Sequence, residues 1–249
     1  MNVDALLTPV ELPALVRRDL RDTACVVFDI LRATSSFVTA LYHGARAIIP
    51  VSEIAEAVAL RQLRPEVLLA GERDGVRILA AQSGGVDFDF GNSPREFTPE
   101  RVRGKTIVST TTNGTRALRA CAAAKTVLAG SFLNLAATAQ FLRGQPEILL
   151  ICAGTGENAA TEDILAAGAL VELLLAGQKV RPKTSSNAFA AHMAFFVRSE
   201  HFPDAVRDSE NGRRLLAIPE LRDDVAFCAR RDFFNLVAIM HADGSLRRV

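Results

Sequence analysis

The stretch ACVVFDILRATSSFVTALYHGARAIIPV, residues 24–51, decides how the rest of the chain reads. It opens on an unbroken apolar run with two β-branched valines, short enough for a strand buried on both faces. Asp29 closes the run. Residues 34–43 then follow a helical pattern, and Gly44 is placed to end it. Residues 46–51 turn apolar and β-branched again. Strand, helix and strand in that order make a βα unit, the building block of a parallel sheet covered by helices.

The rhythm continues outward. Ser52 is a capping residue for a helix over 53–63, whose alanines favour that state, and 67–70 is a third short strand. Strands at 106–109, 126–129 and 148–152 alternate with helices at 113–123, 134–142 and 161–176. The expected fold is α/β, with mainly parallel sheets flanked by helices. The stretches 24–75 and 106–165 share a three-strand βα plan. They read either as two pseudo-symmetric βα-repeat halves, 1–104 and 105–249, or as ordinary repetition within one compact unit. Residues 71–104 break the rhythm and are expected to cross between halves. Helices are expected at 186–200 and 210–216, and the pieces 224–230 and 236–240 fit an edge strand or a helix.

Composition narrows the function classes. The chain has 249 residues, 49% of them hydrophobic, enough for a sizeable core. Its 29 basic and 28 acidic residues give a net charge of +1, without the electrostatic footprint of a nucleic-acid or anionic-membrane partner. The four cysteines form no C-x-x-C pair and no zinc spacing, and the four histidines are scattered. Reduced thiols, no signal-peptide pattern in MNVDALLTPVELP, and no uncharged apolar run near the ~20 residues of a membrane span point to the cytoplasm. The composition is compatible with a homo-oligomer.

The chemistry-bearing residues stand where strands feed helices, and in open α/β sheets ligands bind beyond the carboxyl ends of strands. Asp29 is aimed there as a cation ligand or nucleophile, with Arg32, a planar fork suited to phosphate or sulfonate oxygens, and Thr34 following. Glu72, Arg73 and Asp74 follow the third strand. Asn92 and Ser93 stand at a turn that Pro94 and Glu96 convert into a capped helix start, leaving N–H groups for an oxyanion. Thr111, Thr112, Asn113 and Gly114 gather hydroxyls and backbone donors at another helix start, where anions are favoured. Glu162 and Asp163 open the 161–176 helix, as ordinary dipole partners or as acids able to meet Asp29 and Glu72.

Two familiar phosphatase mechanisms fit poorly. The haloacid-dehalogenase pattern D-x-D-x-T/V needs a second acid where Leu31 stands, and leucine cannot transfer a proton. The cysteine pattern C-x5-R, read from Cys152, meets Asn158 instead of arginine. Hard oxygen ligands point to Mg²⁺, which keeps several waters and bridges carboxylates to a substrate phosphate.

VVFDILRATSSFVTAL, GERDG, DFGNSP, TTTNGTRAL, GSFLNLAATA, ICAGT and TEDILAAG, in this order, resemble the ComB family, named for 2-phosphosulfolactate phosphatase. The resemblance runs from about residue 24 to 176, and SENGRRL (209–215) and DDVAFCARRD (223–232) fit its C-terminal pattern. One departure is Val237-Ala238-Ile239, where a Val-Pro is expected. The resemblance implies a Mg²⁺-dependent α/β phosphatase. It would convert 2-phospho-3-sulfolactate to 3-sulfolactate and phosphate, on a route to coenzyme M. The matched positions include Asp29, Arg32, Thr34, Glu72, Arg73, Asn92, Ser93, Thr111, Thr112, Asn113, Gly114, Glu162 and Asp163.

Roles follow from the chemistry of the side chains. Asp29, Glu72 and Asp163 are expected to hold Mg²⁺, directly or through water. Arg32, Arg73 and the 111–113 turn would neutralise the anionic groups of a small phosphorylated acid. Glu162 would act as general base or support a neighbour from behind. An Asp29 phosphoenzyme competes with direct attack by water. Three other functions share these residues: a non-catalytic phospho-ligand binder, a Mg²⁺-dependent lyase on a related phosphoacid, and a phosphatase of another phosphohydroxyacid.

Overall fold

The computed structural model describes residues 1–178 and 180–249. The apolar run before Asp29 forms a strand, Thr23–Phe28, buried at every residue. Its side chains alternate between two cores, as a strand's two-residue period requires. Cys25 and Val27 pack into one, Val26 and Phe28 into the other. Among the described residues the strands are β1 (Asn2–Leu6), β2 (Thr23–Phe28), β3 (Ala47–Val51), β4 (Leu68–Arg73), β5 (Val76–Arg77), β6 (Thr106–Thr110), β7 (Thr126–Gly130), β8 (Glu147–Cys152), β9 (Lys183–Thr184), β10 (Ala238–Met240) and β11 (Leu246–Arg248). They form one sheet in the order β5-β4-β6-β3-β11-β10-β7-β2-β8-β1-β9.

The sheet consists of two parallel blocks. One is β4-β6-β3. The other is β7-β2-β8-β1-β9. The C-terminal hairpin β10–β11 lies between them, antiparallel to both neighbours. It pairs the inner edge of each block, which would otherwise leave a row of unpaired N–H and C=O groups. Residues 236–240 therefore supply an internal strand rather than an edge strand, and 224–230 fall in the helix Arg222–Cys228. The sheet does not divide at residue 104. β6 sits between β3 and β4, and β2 between β7 and β8.

The six strands of the βα reading form as expected. The sequence pattern carries little sign of β1, β5, β9 and β11: β5 and β9 span two residues each, β1 interleaves polar with apolar residues, and β11 is a leucine followed by two arginines. The expected helices appear as Ala33–Tyr42, Ile54–Leu63, Leu135–Leu142, Thr161–Leu175 and Glu210–Leu216. Two are shorter than expected, Gly114–Ala120 and Ser186–Phe196. Among the described residues no helix is long and apolar enough to cross a membrane.

The Ala33–Tyr42 helix is buried at every position from Ala33 to Leu41. A helix covered all round must be packed on all sides. Its Phe37, Val38 and Leu41 share a cluster with Val27 of β2, Val127 of β7, Ile48 of β3 and Ile107 of β6. Ala117 and Leu118 of the neighbouring Gly114–Ala120 helix join the same cluster. The two blocks thus wrap around two helices. A sheet twist of roughly 20–25° per strand permits this curl. Its consequence is that the turn after β2 and the turn after β6 touch. A Cβ added at Gly114 would lie 2.7 Å from Asp29 Oδ2 and 2.7 Å from Ala33 Cβ. Only glycine fits there, and the candidate site forms around that contact.

Candidate functional site

Asp29 leaves β2 pointing at the start of its own helix. Its Oδ1 accepts the Ala33 N–H at 3.1 Å, and Gly114 packs closely against its carboxylate. The Thr34 hydroxyl lies 3.0 Å from both the N–H and the carbonyl oxygen of Asp29, which fixes the turn. Burial pushes the Asp29 carboxyl up to about 7, and the negative charges of Glu72 and Glu162 add to the effect. Desolvation penalises the charged form, and like charges penalise it further.

Glu72 comes from β4, across the fold. Its Oε1 accepts both the N–H and the hydroxyl of Thr112 at 3.0 Å, and its Oε2 accepts the Gly75 N–H at 2.8 Å. A carboxylate offers about four lone-pair directions, so neither acid is saturated by these bonds. Asp29 and Glu72 each retain 8% exposure.

Both open onto one cavity of about 260 Å³. Arg32, Asn92, Thr112 and Asn113 also line it, so six of the sequence candidates converge. Leu31, Asp74, Gly75, Thr155, Gly156, Asn211, Arg214 and Leu215 complete the wall. Arg32 is held from behind, with Nη1 donating to Asp224 Oδ2 at 2.8 Å and Nη2 to the Gly75 carbonyl at 2.6 Å.

The other candidates lie behind the wall. Arg73 donates to the Glu72 carbonyl at 2.7 Å and the Thr110 hydroxyl at 3.1 Å. β4 runs through Arg73, so consecutive side chains face opposite ways and Arg73 points away when Glu72 points in. Thr34 and Thr111 spend their hydroxyls on local turns, Thr111 with Thr115. The Ser93 hydroxyl donates to Asp224 Oδ1 at 2.7 Å. Gly114 packs against Asp29.

Asp163, expected beside Asp29 and Glu72 as a cation ligand, does not line the cavity. Its Oδ1 accepts the Ile30 N–H at 2.8 Å and its Oδ2 the Gly154 N–H at 3.0 Å. It clamps the turns after β2 and β8 together and is not part of the cavity wall. Burial, with the charges of Glu162 and Asp29, holds its carboxyl well above the ordinary range. Glu162 does not reach the wall either. Its Oε1 accepts from Asn211 Nδ2 at 2.7 Å, and its buried Oε2 has no partner. Cys152 is buried, and its surroundings push the thiol up, the opposite of an activated nucleophile.

Four wall or support residues escaped the sequence reading as site residues: Thr155, Asn211, Arg214 and Asp224. Asn211 and Arg214 lie in SENGRRL and Asp224 in DDVAFCARRD. The only signal available was those quoted motifs, because these three residues sit on helices rather than at strand ends.

Among the described residues, no three His, Cys, Asp or Glu side chains come together closely enough to hold a metal ion. The three-carboxylate set is therefore not formed. Asp29 and Glu72 alone fit a hard cation of the Mg²⁺ kind, which takes one or two carboxylates, several waters and substrate oxygens. Burial raises the Asp29 carboxyl, and a cation held between Asp29 and Glu72 would offset that penalty.

A family model described as 2-phosphosulpholactate phosphatase matches residues 10–243. The chain is 39% identical over 225 residues to a protein of Caldanaerobacter subterraneus subsp. tengcongensis named probable 2-phosphosulfolactate phosphatase, covering 88% of each. A protein of the same name from Thermotoga petrophila is 40% identical over 212 residues, covering 85% of this chain and 86% of the relative. Another, from Carboxydothermus hydrogenoformans, is 34% identical over 242 residues, covering 97% and 94%.

Proposed function

The chain belongs to the 2-phosphosulpholactate phosphatase family, and from that premise we propose that it hydrolyses the phosphate monoester of a small sulfonated or carboxylated hydroxyacid with the help of Mg²⁺. The leading substrate is 2-phospho-3-sulfolactate, which would give 3-sulfolactate and phosphate. The observation that carries this reading is the convergence of Asp29 and Glu72, from two different parallel blocks, on one cavity beside Arg32.

Such a substrate carries its phosphate, carboxylate and sulfonate charges on a three-carbon frame. Arg32 would pair with one anionic group through the N–H groups its two anchors leave free. Asn113 and Asn92 would supply neutral donors to the remaining oxygens. Arg214, at the mouth, would meet the end of the molecule that protrudes. Asp29 and Glu72 would hold Mg²⁺, which when bound supplies Lewis-acid polarisation of a phosphoryl oxygen and charge compensation. Thr112 and Gly75 orient Glu72, and the Ala33 N–H and the close packing of Gly114 orient Asp29. Glu162 holds Asn211, and through it the Thr155 side of the wall, where Asn211 Nδ2 also donates to the Thr155 hydroxyl at 2.6 Å.

Pure protein incubated with 2-phosphosulfolactate and related phosphoacids, with Mg²⁺ or with EDTA, tests the reading by released phosphate. Metal-dependent release from at least one of them is the expected result. No release from any of them, or equal release in EDTA, would sink it.

A further inference from the structure

Asp224 has no part in the reaction outlined above, yet it is among the most completely buried charged side chains of the fold, with 0% exposure. It lies on the Arg222–Cys228 helix, 192 positions from its partner Arg32. Its Oδ2 accepts from Arg32 Nη1 at 2.8 Å. Its Oδ1 accepts from the Ser93 hydroxyl at 2.7 Å and from Arg95 Nε at 2.8 Å. Three donors from two distant segments thus meet on one carboxylate.

Stability alone is a poor reason for this arrangement. Desolvating a buried ion pair costs several kcal/mol per ion, and apolar replacements of similar volume are often neutral or better. The geometry supplies another reason. Arg32 is 3% exposed and lines the cavity together with Asp29, Glu72 and Asp74. An untethered guanidinium there would turn toward the cavity's own acids and neutralise the site before a substrate arrived. Asp224 on one Nη and the Gly75 carbonyl on the other fix the guanidinium plane from two directions. Two anchored nitrogens still leave N–H groups of the five-donor fork for an incoming anion. Ser93 and Arg95 in turn prevent Asp224 from following Arg32 into the cavity. Arg95 is itself braced by the Glu220 carbonyl at 2.8 Å.

We propose that Asp224 is the positioning residue of the anion site: it holds Arg32 away from Asp29 and Glu72 and presents its free N–H edge to an oxyanion of the substrate. This rests on the phosphatase reading for the identity of the substrate, but not for the geometry, which can be tested without turnover. The probe is inorganic phosphate, with its dissociation constant measured by calorimetry on the full chain in the presence of Mg²⁺.

A double-mutant cycle separates positioning from mere support. Asp224→Asn keeps the shape and removes the charge. It is expected to weaken phosphate binding about tenfold in the Arg32 background and less than twofold in the Arg32→Ala background, because its effect passes through Arg32. A residue that only supports the fold would cost the same in both. Should Asp224→Asn lose its folded circular-dichroism signature, Ser93→Ala takes its place in the cycle. It removes one of the three donors to Asp224, with an expected loss of about threefold that vanishes without Arg32. Equal losses in the two backgrounds, no loss with Arg32 present, or no phosphate binding by the wild-type chain would each overturn the proposal. A chain that shows the cycle but hydrolyses none of the phosphoacids would refute the phosphatase reading and leave the positioning role standing.

Discussion

The front wall of the cavity and the layer behind it are built from the same kinds of residue and behave differently. In front, Asp29 and Glu72 keep a little exposure and face an open volume. Behind, Asp163 and Asp224 are sealed, and their oxygens are spent on two backbone N–H groups in one case and on Arg32, Ser93 and Arg95 in the other. All four are buried acids. Burial therefore does not distinguish a working carboxylate from a structural one. What distinguishes them is whether lone pairs remain that face an opening.

The sharpest way to break that contrast is to substitute one acid from each layer. Asp29→Asn and Glu72→Gln keep shape and most hydrogen bonds, and each is expected to lower phosphate release at least about a hundredfold while the fold survives. Asp163→Ala should do the reverse. It strands two buried N–H donors, costs roughly 2–5 kcal/mol in urea unfolding, and leaves kcat of the folded protein within about threefold. If Asp163→Ala silenced a chain of unchanged stability, the division between layers would be wrong.

A smaller effect concerns pH. Folding raises the Asp29 carboxyl from the ordinary carboxylate value to about 7, so the folded chain holds this proton more tightly than the unfolded chain. Between about pH 4 and pH 7 the unfolded state loses the proton first, and stability falls as pH rises. Above pH 7 the penalty is complete, and below about pH 4 it is absent. Asp29→Asn relieves it. The metal-free variant is expected to melt roughly 3–6 °C above the wild type at pH 8, with a gain that shrinks toward pH 5. A gain independent of pH, or none, would remove Asp29 as the charge-starved member of the front wall.

The smallest effect belongs to the rim. Arg214 pairs with the exposed Asp74 at 3.7 Å across the cavity mouth, and exposed pairs contribute little to stability. Arg214→Ala is expected to raise KM for the phosphoacid about three- to tenfold, with kcat and melting temperature unchanged. An unchanged KM would confine substrate recognition to the inner wall.

The same contrast explains which residues the sequence revealed. Asp29 was legible because a short apolar run with two β-branched valines reads as a buried strand, and an acid at its end points beyond the strand's carboxyl end. Arg73 was misleading because GERDG reads as a turn. β4 in fact continues through it, and the two-residue period sends Arg73 the other way. Asp163 was misleading because an acid in a first helical turn looks the same whether it caps backbone N–H groups or meets an ion. Asn211, Arg214 and Asp224 come from helices far along the chain, where local pattern carries no information about distant neighbours.

Alternating apolar runs and capped helices by themselves determined the parallel strands, the helices between them and the placing of polar turns at carboxyl ends, because those features follow from local periodicity and backbone geometry. Tertiary structure decided that a terminal hairpin would join two parallel blocks, that both blocks would pack against the buried Ala33–Tyr42 helix, and that Gly114 would press against Asp29. These depend on long-range pairing, which alone settles which acids share an opening and which are closed in.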